Sequence, residues 1–467
     1  SDYRGFVAAI DDWVAKGNLR GFSSQSFYDL LAQVCAEASA KSPERLYDGA
    51  KEWTSCQAAP PRHRTWHFVD TPAKWTWNQL ANAEAPIVED GKLSNVTQKA
   101  TSIIVVAQSA HAGDCISAIM QHTSQVREVI ILDRLKARRD RQALRDIIKG
   151  DNRCAIVECE ANEPVVRSVN QGLRQASGEY IALVSGDTVV AHGWLSGMLK
   201  CMNSAEDIGM VGPVGNLAEG PQRIEGPPQD ANPDRWREFA LKIAETHANQ
   251  FQDVMQLDGF CLLMRRAVLD VVGDLDEGYG NGGYAYEDLC LRCHVAEYRN
   301  VIAREVFVRQ YRGLPSKDGG EYFARKWKEF ITQDGSEYRI SLTREQQLGT
   351  LLAWGEERFA RGDIGAAVKT FKRVLCLDRT NAQALNNLGV IQWQLGETLS
   401  AMETFQIALK YRPQDPDTLA NLIQATNDTG RFDLLQADIM EALKKAHPKR
   451  PELVDLYVAW QKATRIG

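Results

Sequence analysis

The chain has 467 residues, of which 44% are hydrophobic and 25% charged, with a formal net charge of -6. That balance is the one of a globular chain of about two or three domains, at roughly 150 residues each. It gives no electrostatic reason to expect nucleic acid or an anionic membrane surface as a partner. No apolar run approaches the roughly 18 residues a membrane helix needs, and the first residues lack a basic-then-apolar export signal. The ten cysteines are scattered. Cys115, Cys154, Cys201 and Cys261 lie inside apolar segments, as reduced core thiols do. Cys290 and Cys293 form a C-x-x-C within a helical pattern and without a second pair, which argues against zinc or redox chemistry. The expected compartment is the cytoplasm.

Residues 1–97 read as a helical segment. Phe6, Ile10, Trp13 and Val14 share one helical face, and Phe27, Leu30, Leu31 and Val34 share another. The stretch PPRHRTWHFVDTPAKWTW mixes proline, basic and aromatic residues and is expected to pack its rings irregularly. His63 and His67 lie four apart, but Pro60 and Pro61 argue against a helix that would align them as metal ligands. The role of this segment stays open.

From Thr101 short apolar strands alternate with helices. Ser102–Ala107, Val129–Leu132, Ala155–Val157 and Tyr180–Val184 are the strands, with helical patterns at Ile116–Met120 and Gln142–Ile148. The alternation predicts an α/β domain over residues 98–340: a mostly parallel sheet with helices on both faces. In such sheets ligands sit beyond the carboxyl ends of the strands. Asp133 and Asp187 each lie at that end of a strand. The basic run from Arg134 to Arg145 fits a solvated helix face as well as a phosphate-attracting one.

The stretch NQGLRQASGEYIALVSGDTVV, residues 170–190, resembles the family 2 glycosyltransferases, nucleotide-sugar enzymes of the GT-A fold. The likeness extends over about residues 100–315. It includes IGMVGPVGN from Ile208, LDGFCLLMRRAVLDVVGDLDEGYG from Leu257, an acidic pair Glu287-Asp288 at a helix start, and VIAREVFVRQYRG from Val301. The resemblance implies that Asp133, Asn162 and Asn170 orient the nucleotide. It implies that Ser185, Gly186, Asp187 and Asp258 touch the nucleotide sugar, and that Glu287 or Asp288 is the general base. A divalent cation, Mn2+ or Mg2+, is implied on Asp187. Gln310 stands at the place of a family histidine ligand and is the second expected metal ligand, with Arg309 beside it as a group able to neutralise phosphate charge. The family's first metal acid is replaced by Ser185, and its first turn by Ala107-Gln108-Ser109. The cation is therefore expected to be weakly held or dispensable. Gly278, Gly280, Gly282 and Gly283 do not follow a strand and do not read as a dinucleotide loop.

The tail, residues 341–467, repeats. Leu351, Trp354, Gly355, Gly362, Ala367 and Phe371 recur 34 positions later as Leu385, Leu388, Gly389, Gly396, Ala401 and Phe405. A third copy has Leu419, Leu422, Ile423, Gly430, Leu435 and Ile439. This is the tetratricopeptide period, and it predicts an all-α solenoid. Such an array serves equally as a groove for a polypeptide or as helices that only cap the preceding domain or make a dimer. The fusion resembles bacterial transferases that glycosylate flagellin or small peptides. The expected function is transfer of a sugar, a UDP-sugar being the first-choice donor, to a protein or peptide acceptor bound by the repeats. Two alternatives stand beside it: a degenerate, non-catalytic domain serving as a protein-binding scaffold, and a polysaccharide or lipopolysaccharide transferase.

Overall fold

A computed structural model describes residues 100–434, except 124, 161, 314–318, 335–336, 414 and 432–433. The expected helical segment at residues 1–97, and Leu435 and Ile439 of the third repeat, lie outside the described residues. Of the described residues, one compact unit runs to Leu388 and a second begins at Gly389.

The first unit is built on a nine-stranded sheet in the order β3-β2-β1-β4-β8-β6-β9-β5, with β7 beside β9. The strands are β1 (Thr101–Ala107), β2 (Glu128–Asp133), β3 (Cys154–Glu158), β4 (Tyr180–Ser185), β5 (Thr188–Val190), β6 (Ile208–Gly215), β7 (Phe251–Val254), β8 (Cys261–Arg265) and β9 (Arg299–Gln310). Every residue of β1 is buried. Its unbroken β-branched run suits a strand covered on both faces, where alternation is not required. The pairs β1–β2, β1–β4 and β2–β3 are parallel, as the alternating pattern predicts. Beyond β4 the sheet is mixed: β8 runs antiparallel to both β4 and β6, while β9 runs parallel to β6 and antiparallel to β5 and β7.

Helices α1 (Ala112–His122), α2 (Arg138–Ile147), α3 (Val165–Gln175), α4 (Trp194–Met202), α5 (Pro233–Thr246), α6 (Arg266–Val272), α7 (Ala285–Val295) and α8 (Gly320–Trp327) complete the α/β part. A core of Ile103, Val105, Ile116, Ile119, Ile131, Trp194 and Met198 lies between the sheet and α1 and α4. A two-stranded ribbon, β10 (Ile331–Asp334) and β11 (Glu337–Ile340), precedes the helical tail.

The tail opens with α9 (Arg344–Ala360), started by a capping box in which Thr343 and Gln346 satisfy each other's backbone N–H groups. Then come α10 (Ile364–Leu377), α11 (Ala382–Gln394), α12 (Thr398–Tyr411) and α13 (Pro416–Thr429). The repeat is visible in atoms. A Cβ on Gly355 would lie 2.4 Å from the Phe371 ring, and one on Gly389 would lie 2.5 Å from Phe405. Each glycine lets the phenyl of the following helix reach its backbone, 34 residues apart in both members. The pair α9–α10 belongs to the same compact unit as the sheet. There Lys369 pairs with Asp270 of α6 at 2.5 Å, and Arg373 donates to the Ala296 carbonyl at 2.8 Å.

Candidate active site

Strand directions gather the site. The carboxyl ends of β1, β2, β4, β6 and β9 and the amino end of β8 lie along one edge of the sheet, as the registers require. Asp133 ends β2, Ser109 follows β1, Asp187 follows β4, Asp258 precedes β8, and Arg309 and Gln310 end β9. Helix α7 reaches the same edge because the Tyr286 ring sits against Gly259, where a Cβ would lie 2.2 Å from it.

Asp187 is partly buried. Ser109 Oγ donates to its Oδ1 at 2.6 Å, Ser185 Oγ accepts from its N–H at 3.3 Å, and its carbonyl accepts from Tyr311 N at 2.8 Å. The neighbouring Gly186 is forced by space: a Cβ there would stand 2.7 Å from the Val106 carbonyl. Asp133 is buried; its Oδ1 accepts from Leu135 N at 3.0 Å and lies 3.5 Å from Arg141 Nε. Asp258 Oδ2 accepts from Glu219 N at 2.6 Å, and its own N–H donates to Gln222 at 2.7 Å. These three carboxylates therefore share the edge, each oriented by a neighbouring hydroxyl or amide.

The expected asparagines divide. Asn162 is exposed in the turn before α3. Asn170 is buried, donating to the Leu275 carbonyl at 2.8 Å and accepting from Leu275 N at 3.1 Å. It clamps the loop before α7, which is a positioning task.

The acidic pair also divides. Asp288 is wholly buried, and four donors fill its carboxylate. Trp327 Nε1 at 2.9 Å, Tyr279 Oη at 3.2 Å and Lys326 Nζ at 2.7 Å meet Oδ1, while Arg292 Nε meets Oδ2 at 2.8 Å. A buried carboxylate filled in this way is costly to strip of its charge, because its partners are then left unpaired. Glu287 is 8% exposed in the first turn of α7. The Tyr286 phenol next to it is pushed up to about 12 by burial, with the Glu287 charge adding to the shift.

Asp187 and Gln310, the expected metal ligands, are each held by separate partners. Gln310 does not join Asp187: its Oε1 accepts from Leu217 N at 3.2 Å, and its backbone is bonded to Asn216. Among the described residues no group of three or more His, Cys, Asp or Glu side chains comes together to hold a metal. Hard divalent cations take about six oxygen ligands, so Asp187 alone would hold one only with phosphate oxygens and water completing the shell.

Residues missed in the sequence complete the edge. His111 stacks on Tyr311 with centroids 4.0 Å apart, and Tyr311 Oη donates to Asp114 at 3.0 Å. Their one sequence signal is position: His111 follows the β1 turn and Tyr311 follows β9.

Residues 103–273 match the family model described as glycosyl transferase family 2, and residues 355–396 match that of the TPR repeat. The chain thus carries a family 2 glycosyltransferase domain followed by tetratricopeptide repeats. It is 30% identical over 139 residues to "Uncharacterized protein y4gI" of Sinorhizobium fredii (strain NBRC 101917 / NGR234), a match covering 28% of this chain and 15% of that protein. Among solved structures it is similar to GalNAc-T7 with UDP, GalNAc and Mn2+, with a TM-score of 0.39 and 12% identity over 49% of this chain and 48% of that one. It is also similar to the mannosyltransferase PcManGT from Pyrobaculum calidifontis in complex with GDP-Man and Mn2+. That match has a TM-score of 0.34 and 13% identity over 78% of this chain and 86% of the other. The chain therefore spans only a small part of the curated relative and under half of the first structure. No described helix is long and apolar enough to cross a membrane.

Proposed function

We propose that the protein transfers a sugar from a nucleoside diphosphate sugar to a protein or peptide acceptor that the repeats recognise. The observation that carries this reading is the common edge on which Asp133, Asp187 and Asp258 stand, within a domain of glycosyltransferase sequence. Asp133 and Asp258 orient the nucleotide, and the Ser109–Asp187 junction lies at the diphosphate and sugar. In the step, an acceptor oxygen or sulfur forms a bond to the anomeric carbon as the bond from that carbon to the diphosphate oxygen breaks. The acceptor proton passes to a general base within hydrogen-bond reach, and the nucleoside diphosphate leaves with the electron pair. Glu287 suits the base role better than Asp288, whose four partners already fill it. The tetratricopeptide helices offer a groove for an extended or helical polypeptide, which supports a polypeptide acceptor over a polysaccharide one.

The replacement of the family's first metal acid by Ser185 keeps a second reading beside it, a nucleotide-binding scaffold without turnover. Release of nucleoside diphosphate from UDP- and GDP-sugars, measured on the full chain and on Asp187→Ala and Glu287→Gln, separates the two. Turnover that both substitutions abolish supports the enzyme. Stabilisation by nucleotides without any turnover supports the scaffold.

A further inference from the structure

The line of side chains along the strand ends holds one cation with an unusual setting. Arg309, the next-to-last residue of β9, places its guanidinium 4.6 Å from the Trp236 ring centroid and 4.6 Å from that of Tyr311. Its Nη2 donates to the Gln229 carbonyl at 2.8 Å. Its Nε is buried, with no hydrogen-bond partner among the described residues. No described carboxylate pairs with it. A guanidinium stacked against two aromatic rings keeps its charge while giving up water, and the Nη hydrogens not spent on Gln229 are left to meet phosphate oxygens.

Its neighbours connect it to the site without a gap. Tyr311, under the guanidinium, stacks on His111 and donates its N–H to the Asp187 carbonyl. His111 N donates to Ser109 Oγ at 3.2 Å, and that hydroxyl donates to Asp187 Oδ1. The two nearby acids are each bonded by a hydroxyl, Asp114 by Tyr311 and Asp187 by Ser109. A departing nucleoside diphosphate needs its charge neutralised, and among the described residues no group of three His, Cys, Asp or Glu side chains stands here to hold a cation before the nucleotide arrives.

Resting on the nucleotide-sugar reading, we infer that Arg309, gripped between Trp236 and Tyr311, binds the diphosphate and takes the place of a divalent cation. Nucleotide binding then proceeds without metal.

Calorimetric titration of the full chain with UDP, GDP and pyrophosphate, in EDTA and then in Mn2+, tests this. Wild type is expected to bind UDP or GDP in EDTA, with little gain from Mn2+. Arg309→Met, which keeps the stem between the rings without the charge, should weaken that binding about tenfold or more, and Arg309→Lys less. Melting curves of both variants report whether they are folded. The comparison of EDTA with Mn2+ on wild type needs no variant. Binding that appears only with Mn2+, or a folded Arg309→Met that binds as wild type does in EDTA, overturns the inference and leaves the nucleotide reading standing. No binding of UDP or GDP in either condition removes the nucleotide reading for these bases, and this inference with it.

Discussion

Replacing Asp288 by asparagine is the sharpest available test of what the acidic pair does. The change keeps the shape of the side chain and an oxygen able to accept from Trp327 and Tyr279. It removes the charge that Arg292, 7% exposed, and Lys326, 21% exposed, both face. Lys326 retains Asp276 at 2.7 Å, but Arg292 keeps only the Val272 and Gly273 carbonyls. Removing one partner of a buried pair costs about 3–5 kcal/mol, and the remaining carbonyl bonds and Asp276 put this case at the lower end, about 3 kcal/mol. At about 2–4 °C per kcal/mol for a domain of this class, the melting temperature should fall by roughly 6–12 °C. Differential scanning fluorimetry of the full chain measures the fall, and nucleotide-sugar turnover below the transition measures activity. Residual turnover on the folded fraction is expected. An unchanged melting temperature together with complete loss of turnover would refute the reasoning and make Asp288 the base.

Gly186→Ala should destabilise the β4–β5 turn and weaken nucleotide binding, because the added methyl meets the Val106 carbonyl at 2.7 Å and backbone cannot step aside cheaply; a variant that melts and binds as wild type contradicts this. Burial holds the His294 pKa below its ordinary 6.5, although the Val254 and Met255 carbonyls pull the other way. The unfolded chain therefore takes the proton first, and stability is full above about pH 6.5 and declines as pH falls through that value toward the folded one. Urea titrations at several pH values should show a shallower decline for His294→Gln than for wild type; identical slopes would count against it. A chain cut after residue 345 should melt well below the full chain, because it strips α10 from α6, whereas a chain ending near residue 381 keeps that pair. Equal melting of the 345 cut and the full chain would sink the argument.

Strand placement was legible because apolar runs such as SIIVVA and YIALVS have few other uses in a chain of this composition. The direction of β8 was not, since CLLMR reads the same whichever way its neighbours run. Asp187 was found as an acid just past a buried strand. Ser109, which orients it, lies 78 residues away, and a serine in a turn has no distinguishing pattern. Asp288 shows the larger difficulty. A carboxylate in the first turn of a helix looks identical whether it faces a cleft or a core, and the partners that decide, Tyr279, Trp327 and Lys326, are supplied by folding. The repeat was the clearest signal of all, because its period is written in residue types that pack on one another, glycine under phenylalanine.

The seating of α10 on α6 bears on how such a protein grows. A solenoid of helix pairs has two ends, and each end exposes an apolar flank that a terminal element has to cover. Here α6 and the residue following α7 meet α10, so the sheet domain covers the leading flank. New 34-residue units can be gained or lost further along by duplication without touching the α6–α10 contact. Groove length and the chemistry at the sheet are then free to evolve at different rates.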